Sequence, residues 1–127
     1  MRISKKIENI SLGLGESPIW VDHLHRFYFI DIESPKIYSY QLYENKLETF
    51  IIPFKSTCIV NISEDLFLLA ANNKIFKTDS KFNNFFELCT IEHKYVGKRF
   101  NDGSYDGLGN LWISGIQSSE QVLSSIF

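Results

Sequence analysis

Residues 27–50 read FYFIDIESPKIYSYQLYENKLETF, a segment in which three short β-rich runs are separated by turn-forming residues. Residues 66–88 read LFLLAANNKIFKTDSKFNNFFEL and repeat the same order of runs, with a Lys-Ile-aromatic element at residues 36–38 and again at residues 74–76. A third copy begins at Asn110 and continues to the last residue. The chain is therefore built from a repeated unit of roughly 40 residues that contains three or four short strands.

The predicted secondary structure is all β. Eight runs are rich in aromatic and β-branched residues or alternate apolar with polar residues, as half-buried strands do. These predicted strands span residues 26–32, 36–42, 47–52, 58–62, 66–71, 74–78, 86–91 and 111–114. Turn formers such as Asn72-Asn73 and Asn83-Asn84 lie between them. No segment shows the spacing of an amphipathic helix.

The repeat separates two all-β architectures. Antiparallel strands that recur as a unit about every 40–45 residues are typical of a β-propeller blade. A plain sandwich has strands of similar spacing but no reason to repeat a motif every third strand, so the pattern favours the propeller. We expect one domain over residues 1–127 that holds about two and a half blades, whereas a closed propeller has about 4–8.

The composition is that of a globular protein with a core. Hydrophobic residues make up 44% of the chain and aromatic residues 15%, which argues against disorder. The net charge is −2, without the basic stripe that nucleic-acid binding requires. No run approaches the ~20 apolar residues of a membrane span, and the basic start is not followed by a signal-peptide core. We therefore expect a cytoplasmic protein that binds neither nucleic acid nor membrane.

Cysteine and histidine residues give weak signals. Cys58 and Cys89 lie singly in apolar segments, too few for a disulfide framework and too far apart for a zinc site. We expect both to be buried, reduced thiols. His23 and His25 lie on one side of an extended segment and would suit a metal pair, but a solvated loop is the favoured interpretation. The same holds for His93.

Two segments carry more information than the repeat does. One is Gly15-Glu16-Ser17-Pro18-Ile19-Trp20; the other is Arg99-Phe100-Asn101-Asp102-Gly103, followed by Asp106-Gly107-Leu108-Gly109-Asn110-Leu111-Trp112. In order and separation they resemble two signatures of the regucalcin/gluconolactonase family (senescence marker protein, LRE-like). The resemblance spans nearly all of the chain but less than half of a typical member, its N-terminal portion. It implies a six-bladed β-propeller that is incomplete here.

The resemblance also implies a metal-dependent site for a sugar lactone. Lactone hydrolysis needs a polarised carbonyl and a positioned water, which a cation such as calcium, zinc, manganese or magnesium supplies. Glu16 matches the family's metal-ligating glutamate, and Arg99 and Asn101 match the pair that contacts substrate. Glu120 lies near a position where the family often has another substrate-facing acid, although a solvated loop acid is the simpler interpretation. We expect Glu16, Arg99 and Asn101 to point toward one end of the blades.

Purely structural roles are the alternatives to these assignments. Glu16 could be a surface acid in a turn, Arg99 a salt-bridge partner and Asn101 a turn cap, since Asn-Asp-Gly is a good turn sequence. We assign Asp102 and Gly103 to that turn. The chain also reads Ser114-Gly115-Ile116 where the family usually reads Gly-Thr-Met.

The family's other metal ligands, an Asn and an Asp that is the usual base, fall beyond Phe127. No catalytic residue is therefore assigned, cation binding is expected to be weak, and the isolated chain is expected to be inactive. Three functions stay open: the N-terminal part of a lactone hydrolase, a calcium-binding or regulatory module, and a truncated, non-functional gene product. Exposed strand edges also predict self-association.

Overall fold

The computed structural model describes residues 6–117. The strands in that range are β1 (Gly15–Val21), β2 (Arg26–Asp31), β3 (Lys36–Gln41), β4 (Lys46–Ile51), β5 (Cys58–Ser63), β6 (Leu66–Ala71), β7 (Lys74–Thr78), β8 (Phe86–Thr90), β9 (Arg99–Tyr105) and β10 (Leu111–Ile116). The helical residues described are a 3-10 turn, Asp22–Leu24, and one turn of α-helix, α1 (His93–Val96). Neither is long and apolar enough to cross a membrane.

The strands form three antiparallel sheets in chain order. The first sheet is β1-β2-β3-β4, the second is β5-β6-β7-β8, and the third is β9-β10. Within each sheet, strands that follow one another in sequence pair with one another, as short hairpin turns require. The predicted all-β fold of repeated antiparallel sheets is confirmed.

Sequence reasoning predicted the described strands except the first strand of the first sheet and the first strand of the third sheet. The strands at residues 66–71 and 74–78 have the predicted bounds, whereas β1 and β9 were not predicted as strands. The assignment of Asp102 and Gly103 to a turn is wrong, because both lie within β9. Their low β-propensity is overridden by pairing with β10 and by packing against the second sheet.

An aromatic core joins the first and second sheets. Tyr28 of β2 packs against Phe67 of β6 with ring centroids 5.0 Å apart, and Phe82 lies edge-on to both rings. Ile30 and Leu69 are fully buried beside them. Aromatic rings contribute large buried areas, so this cluster is the main attachment of one sheet to the next.

A second core joins the second and third sheets. It contains Cys58, Val60 and Ile75 from the second sheet, with Phe100 and Ile113 from the third. The expectation that both cysteines are buried is correct for Cys58 and wrong for Cys89, which is exposed. Cys89 lies on β8, the outermost strand of the second sheet, and the two described strands of the third sheet do not reach far enough to cover it.

Asp31, at the end of β2, anchors the segment that leads into β1. Its carboxylate accepts hydrogen bonds from the backbone N–H groups of Gly13, Leu14 and Glu33 and from the Ser34 hydroxyl, at 2.9–3.0 Å. Burial by itself raises the pKa of this carboxyl, but the four hydrogen bonds outweigh burial and lower the pKa from 3.8 to about 2. The ionised form therefore stabilises the fold.

We expect Asp31→Asn to lower the free energy of unfolding at pH 7 by about 2 kcal/mol, because the charge-assisted bonds are lost. The native pKa lies below the unfolded value, so this contribution is complete above pH 4 and disappears as the pH falls toward 2. Urea titrations at several pH values measure it. A difference between wild type and variant that stays constant from pH 7 to pH 2 would contradict the assignment, and Glu44→Gln, in an exposed turn, is the matched control.

Gly103 is required where β9 approaches β5. A Cβ at this position would lie 2.8 Å from the Trp112 carbonyl oxygen, 3.2 Å from Cys58 Sγ and 3.3 Å from Ile113 Cγ1. The first of these is backbone and cannot rotate away. Glycine is therefore required here by close packing against the paired strand β10 and against Cys58 of the second sheet.

We expect Gly103→Ala to destabilise the protein by about 1–3 kcal/mol through overpacking. Thermal or urea unfolding measures the change. Ser104→Ala, at the next and exposed position, should change stability by less than about 0.5 kcal/mol. Equal stability of Gly103→Ala and wild type would show that the sheets are less closely packed than described.

Candidate functional site

The candidate site residues lie on the innermost strands of the first and third sheets. Glu16 is the second residue of β1, while Arg99 and Asn101 are the first and third residues of β9. The innermost strand of the second sheet, β5, lies between β1 and β9 and packs against both. Glu16 is therefore on one side of β5 and the Arg99-Asn101 pair is on the other.

Polar contacts join the three innermost strands, β1, β5 and β9, and align one residue of each strand with one residue of the next. The Ser17 hydroxyl accepts a hydrogen bond from the Ile59 N–H at 3.0 Å and lies 3.1 Å from the Ile59 carbonyl oxygen. Ser17 Oγ is also 3.9 Å from Cys58 Sγ, and Cys58 donates to the Gly103 carbonyl at 3.6 Å. Ser17, Cys58 and Gly103 thus occupy equivalent levels of β1, β5 and β9.

The three strands also run in the same direction. A cavity of about 200 Å³ borders that line at Gly103 and is otherwise lined by later residues of the three strands: Ile19, Trp20, Val60, Asn61, Ser104 and Tyr105. All three strands therefore pass from the contact line to the cavity as the chain advances. Glu16 and Asn101 precede the line on their own strands, so both lie at the same end of the three-strand wall.

β1 and β9 each carry a β-bulge next to the candidate residues. On β1 the register with β2 shifts between Glu16 and Ile19, and Ser17 has a φ of 54°. On β9 the register shifts opposite Ser114, so that Asn101 and Asp102 face a single residue of β10. Bulges re-aim side chains and are common beside functional sites.

The Ser114 side chain makes two hydrogen bonds to the bulged segment of β9. Its hydroxyl accepts from the Asp102 N–H at 3.2 Å and donates to the Asp102 carbonyl at 3.1 Å. The next residue, Gly115, lies so close to α1 that a Cβ would be 2.2 Å from the Val96 carbonyl. The departure from Gly-Thr-Met at residues 114–116 therefore has a local packing reason.

Arg99 and Asn101 form a hydrogen-bonded pair. Arg99 Nη1 donates to Asn101 Oδ1 at 3.0 Å and to the Phe100 carbonyl at 2.9 Å, and both side chains are half-buried. The Glu16 residue is exposed, and within residues 6–117 its carboxylate has no recorded hydrogen bond or ion pair. No contact among these residues joins Glu16 to Arg99 or Asn101.

Sequence reasoning did not identify Asp102 as an exposed residue of the same strand, β9. It is exposed, lies beside Asn101 in the bulge, and accepts a bond from the Gly103 N–H at 2.8 Å. The Asn-Asp-Gly sequence concealed it, because the same three residues suit a turn. A signal was present: Arg99 and Phe100 immediately before it have no turn preference.

The rest of the second motif has a structural role. The Asp106 carboxylate accepts from the Asn110 amide at 2.8 Å, the Trp112 indole at 3.0 Å and the Leu108 N–H at 2.7 Å. These bonds, with that of Asn110 the largest, hold the pKa of Asp106 well below its usual value. The first motif repeats the arrangement, since the Trp20 indole donates to Asp22 at 3.1 Å. Asp and Trp in both motifs therefore fasten hairpin ends.

His23 and His25 make separate contacts. His23 contacts the Glu64 carbonyl, and the His25 ring lies edge-on to Tyr43 at 5.8 Å. Within residues 6–117 no cluster of three or more His, Cys, Asp or Glu side chains could hold a metal ion. Glu120 lies outside the described residues.

The chain is similar to known proteins in sequence and in fold. The profile of the SMP-30/Gluconolactonase/LRE-like region matches residues 14–123. No curated protein sequence matches the chain. A crystal structure of regucalcin from Agrobacterium tumefaciens, described as a calcium-binding protein, superimposes with a TM-score of 0.81 at 21% identity over 94% of this chain. A luciferin-regenerating enzyme superimposes with a TM-score of 0.75 at 20% identity over 87% of the chain.

These two structures fix the architecture. The matched part is 41% of the regucalcin chain and 38% of the luciferin-regenerating enzyme, so this chain spans about two fifths of their length. Both neighbours are six-bladed propellers, and each sheet described above corresponds to one blade. The predicted partial six-bladed propeller is confirmed. Since the family profile covers most of the sequence, the chain belongs to the SMP-30/gluconolactonase/LRE-like family.

Proposed function

We propose that the chain carries the first part of a metal-dependent sugar-lactone hydrolase site. In this proposal Glu16 is a metal ligand, and Arg99 with Asn101 holds the sugar oxygens. The observation that carries it is a β-bulge beside Glu16 on β1 and a second β-bulge at Asn101 on β9. The two strands belong to different sheets and run in the same direction. Bulges re-aim side chains and are over-represented next to active sites, so they are consistent with a binding role for the residues beside them.

The Arg99-Asn101 pair suits a neutral polyhydroxylated ligand. Because Asn101 Oδ1 accepts from Arg99, the Asn101 amide is oriented with its NH₂ group free to donate. Arg99 uses Nη1 for its two bonds and keeps other N–H groups of its five. Fixed donors of this kind complement the hydroxyl and carbonyl oxygens of a lactone.

The described residues do not by themselves make a complete cation site. One carboxylate, from Glu16, and one amide fall short of the ~6–8 oxygens that calcium takes or the octahedron that magnesium requires. The described residues also hold no assigned general base, a group that contributes about 10²–10⁴-fold to rate.

A cation-binding module without turnover is the second candidate. It is favoured by the oxygen-only character of the exposed groups at this end of the strands, Glu16 and Asp102, which hard cations prefer. The two candidates differ in whether lactone is consumed, and the following experiments separate them.

We expect the 127-residue chain to bind gluconate, the stable hydrolysis product of gluconolactone, with Arg99→Gln weakening binding about tenfold, or about 1.4 kcal/mol. The loss follows from removing the guanidinium and releasing the Asn101 amide. Titration followed by amide chemical shifts measures it. Lys98→Gln, at the preceding exposed position, is the control and should bind as wild type does. Equal affinities for Arg99→Gln and Lys98→Gln would reject the substrate-contact role.

We also expect the 127-residue chain not to hydrolyse gluconolactone above the spontaneous rate with calcium, zinc, manganese or magnesium. The reason is the short ligand set and the unassigned base. A pH-stat assay with each cation in turn measures this. Metal-dependent turnover that Glu16→Ala abolishes would prove the expectation wrong and would mean that other residues complete the site.

A further inference from the structure

A cleft of about 370 Å³ lies between the first and second sheets. On the side of the first sheet its apolar lining is Leu24, Tyr28 and Phe50, and the second sheet contributes Ser80 and Lys81 from the connection between β7 and β8. Both sheets are four-stranded within the described residues. The cleft has the size of a small-molecule site, since such pockets enclose about 300–1,000 Å³.

The cleft and the candidate site lie toward opposite ends of the first sheet. Arg26, which also lines the cleft, is the first residue of β2 and pairs with Val21 at the end of β1. Glu16 pairs with Ile30, near the other end of the same two strands. The step from Arg26 to Ile30 along β2 corresponds to roughly 13 Å. A small ligand in the cleft therefore does not reach Glu16.

Three acceptors of the first sheet hold the Arg26 side chain at the cleft. Its Nη1 donates to Ser39 Oγ at 3.0 Å and to the Glu48 carboxylate, and its Nη2 donates to Gln41 Oε1 at 3.0 Å. A guanidinium has five N–H groups, so these three bonds leave two without a recorded acceptor in residues 6–117. The guanidinium is thus fixed in position and keeps donors for a ligand.

Positive charge exceeds negative charge around the cleft. Glu48 is the acidic residue of the lining, and its carboxylate bonds to Arg26 and, at 3.0 Å, to Lys46. Lys81 adds a third cation from the second sheet. Three cations against one carboxylate leave a surplus of two positive charges.

The nearby acids of the second sheet line a different cavity. Asp65 and Asp79 border that cavity together with Phe86. Asp79 accepts from the backbone N–H of Lys81 at 3.0 Å, and Asp65 accepts from that of Ser80 at 2.9 Å. The bonds to Ser80 lower the pKa of Asp65 more than the charge of Lys81 does. The ion pairs formed within residues 6–117 do not include Lys81, so its ammonium group is available to a ligand.

The segment that carries Lys81 has an unusual backbone conformation. The next residue, Phe82, has a φ of 50°, in the left-handed region that bulky residues rarely adopt. Its ring is 2% exposed and packs on Phe50 at 5.0 Å and on Phe67 at 5.1 Å between centroids. Aromatic packing between the sheets therefore holds Lys81 beside the cleft in spite of the backbone strain, and strain of this kind clusters at ligand-binding sites.

We propose that this cleft binds a small organic carboxylate with an apolar body. The carboxylate accepts from the two remaining N–H groups of Arg26 and from the Lys81 ammonium group, because a guanidinium fork complements two carboxylate oxygens. The apolar body lies on Leu24 and Phe50. Glu48 in the lining favours a monoanion over a phosphate monoester, since like charges repel. The ligand contacts both sheets and so stabilises their junction.

Phenylacetate and its neutral amide, phenylacetamide, test the site without a mutation. The two have nearly the same size and shape, so the difference in their affinities measures the contribution of the charge. We expect phenylacetate to bind the 127-residue chain with a Kd of about 1 mM. Phenylacetamide should bind at least about tenfold more weakly, because its hydrogen bonds are not charge-assisted.

Titrations followed by amide chemical shifts measure both affinities and locate the ligand. The largest shifts are expected at Ser80 and Lys81. Equal affinities for phenylacetate and phenylacetamide would overturn the proposal. Phenylacetate that shifts neither Ser80 nor Lys81 would overturn it as well.

A pair of matched variants tests the role of Lys81. Lys81→Gln, at an exposed position, should keep the fold and weaken phenylacetate binding about tenfold. Lys55→Gln makes the same charge change at an exposed position between β4 and β5 and should bind as wild type does. Equal weakening by the two variants would show that net charge alone attracts the ligand and would overturn the proposal.

Arg99→Gln separates the cleft from the proposed lactone site. We expect this variant to bind phenylacetate with unchanged affinity, because Arg99 is on the third sheet and the cleft lies between the first and second. Loss of phenylacetate binding in Arg99→Gln would place the carboxylate at the candidate site and contradict a site in the cleft.

Discussion

One line of contacts, from Ser17 through Cys58 to Gly103, sets the relative positions of the three sheets. Burial raises the pKa of the Cys58 thiol to about 11, so at neutral pH the group keeps its proton and can donate to the Gly103 carbonyl. The Ile59 N–H, bonded to the Ser17 hydroxyl, closes the other half of the line. Because these groups are buried between sheets, losing one partner would leave an unpaired polar group. The line therefore fixes the relative level of the three strands, and the cavity lined by later residues of each strand gives their common direction.

The repeat and its outer strands could be predicted from sequence because their pattern is local. Alternation and Asn-rich turns define β6 and β7 within single windows of sequence. Two of the innermost strands, β1 and β9, could not be found that way, whereas β5 was predicted at residues 58–62. Gly15, Pro18, Asn101 and Gly103 have low strand propensity, and they are held in strands by the neighbouring sheet, which no local window contains. Cys89 was misplaced for the same reason, since its apolar neighbours do not reveal that β8 is an outermost strand.

The candidate site was also only partly predictable from the sequence. The motifs identified Glu16, Arg99 and Asn101, and resemblance gave them roles, but the Arg99-Asn101 hydrogen bond and the bulges depend on three-dimensional pairing. The motifs also have structural parts: Trp20 of the first motif bonds to Asp22 just after it, and Asp106 bonds to Trp112 within the second. Each motif therefore contains both candidate site residues and groups that hold hairpin ends.

Native-state hydrogen exchange at two amides tests most directly whether the sheets form one unit. The Ile59 N–H bonds to Ser17 of the first sheet, and the Phe100 N–H bonds to the Asn72 carbonyl of the second at 2.6 Å. Both bonds cross from one sheet to another, so their protection reports the junctions alone. We expect both amides to exchange only through global unfolding, with the same free energy as Leu69 within its sheet. Exchange of Ile59 or Phe100 at the rate of exposed turns, while Leu69 stays protected, would show that the sheets fold separately and would contradict the account.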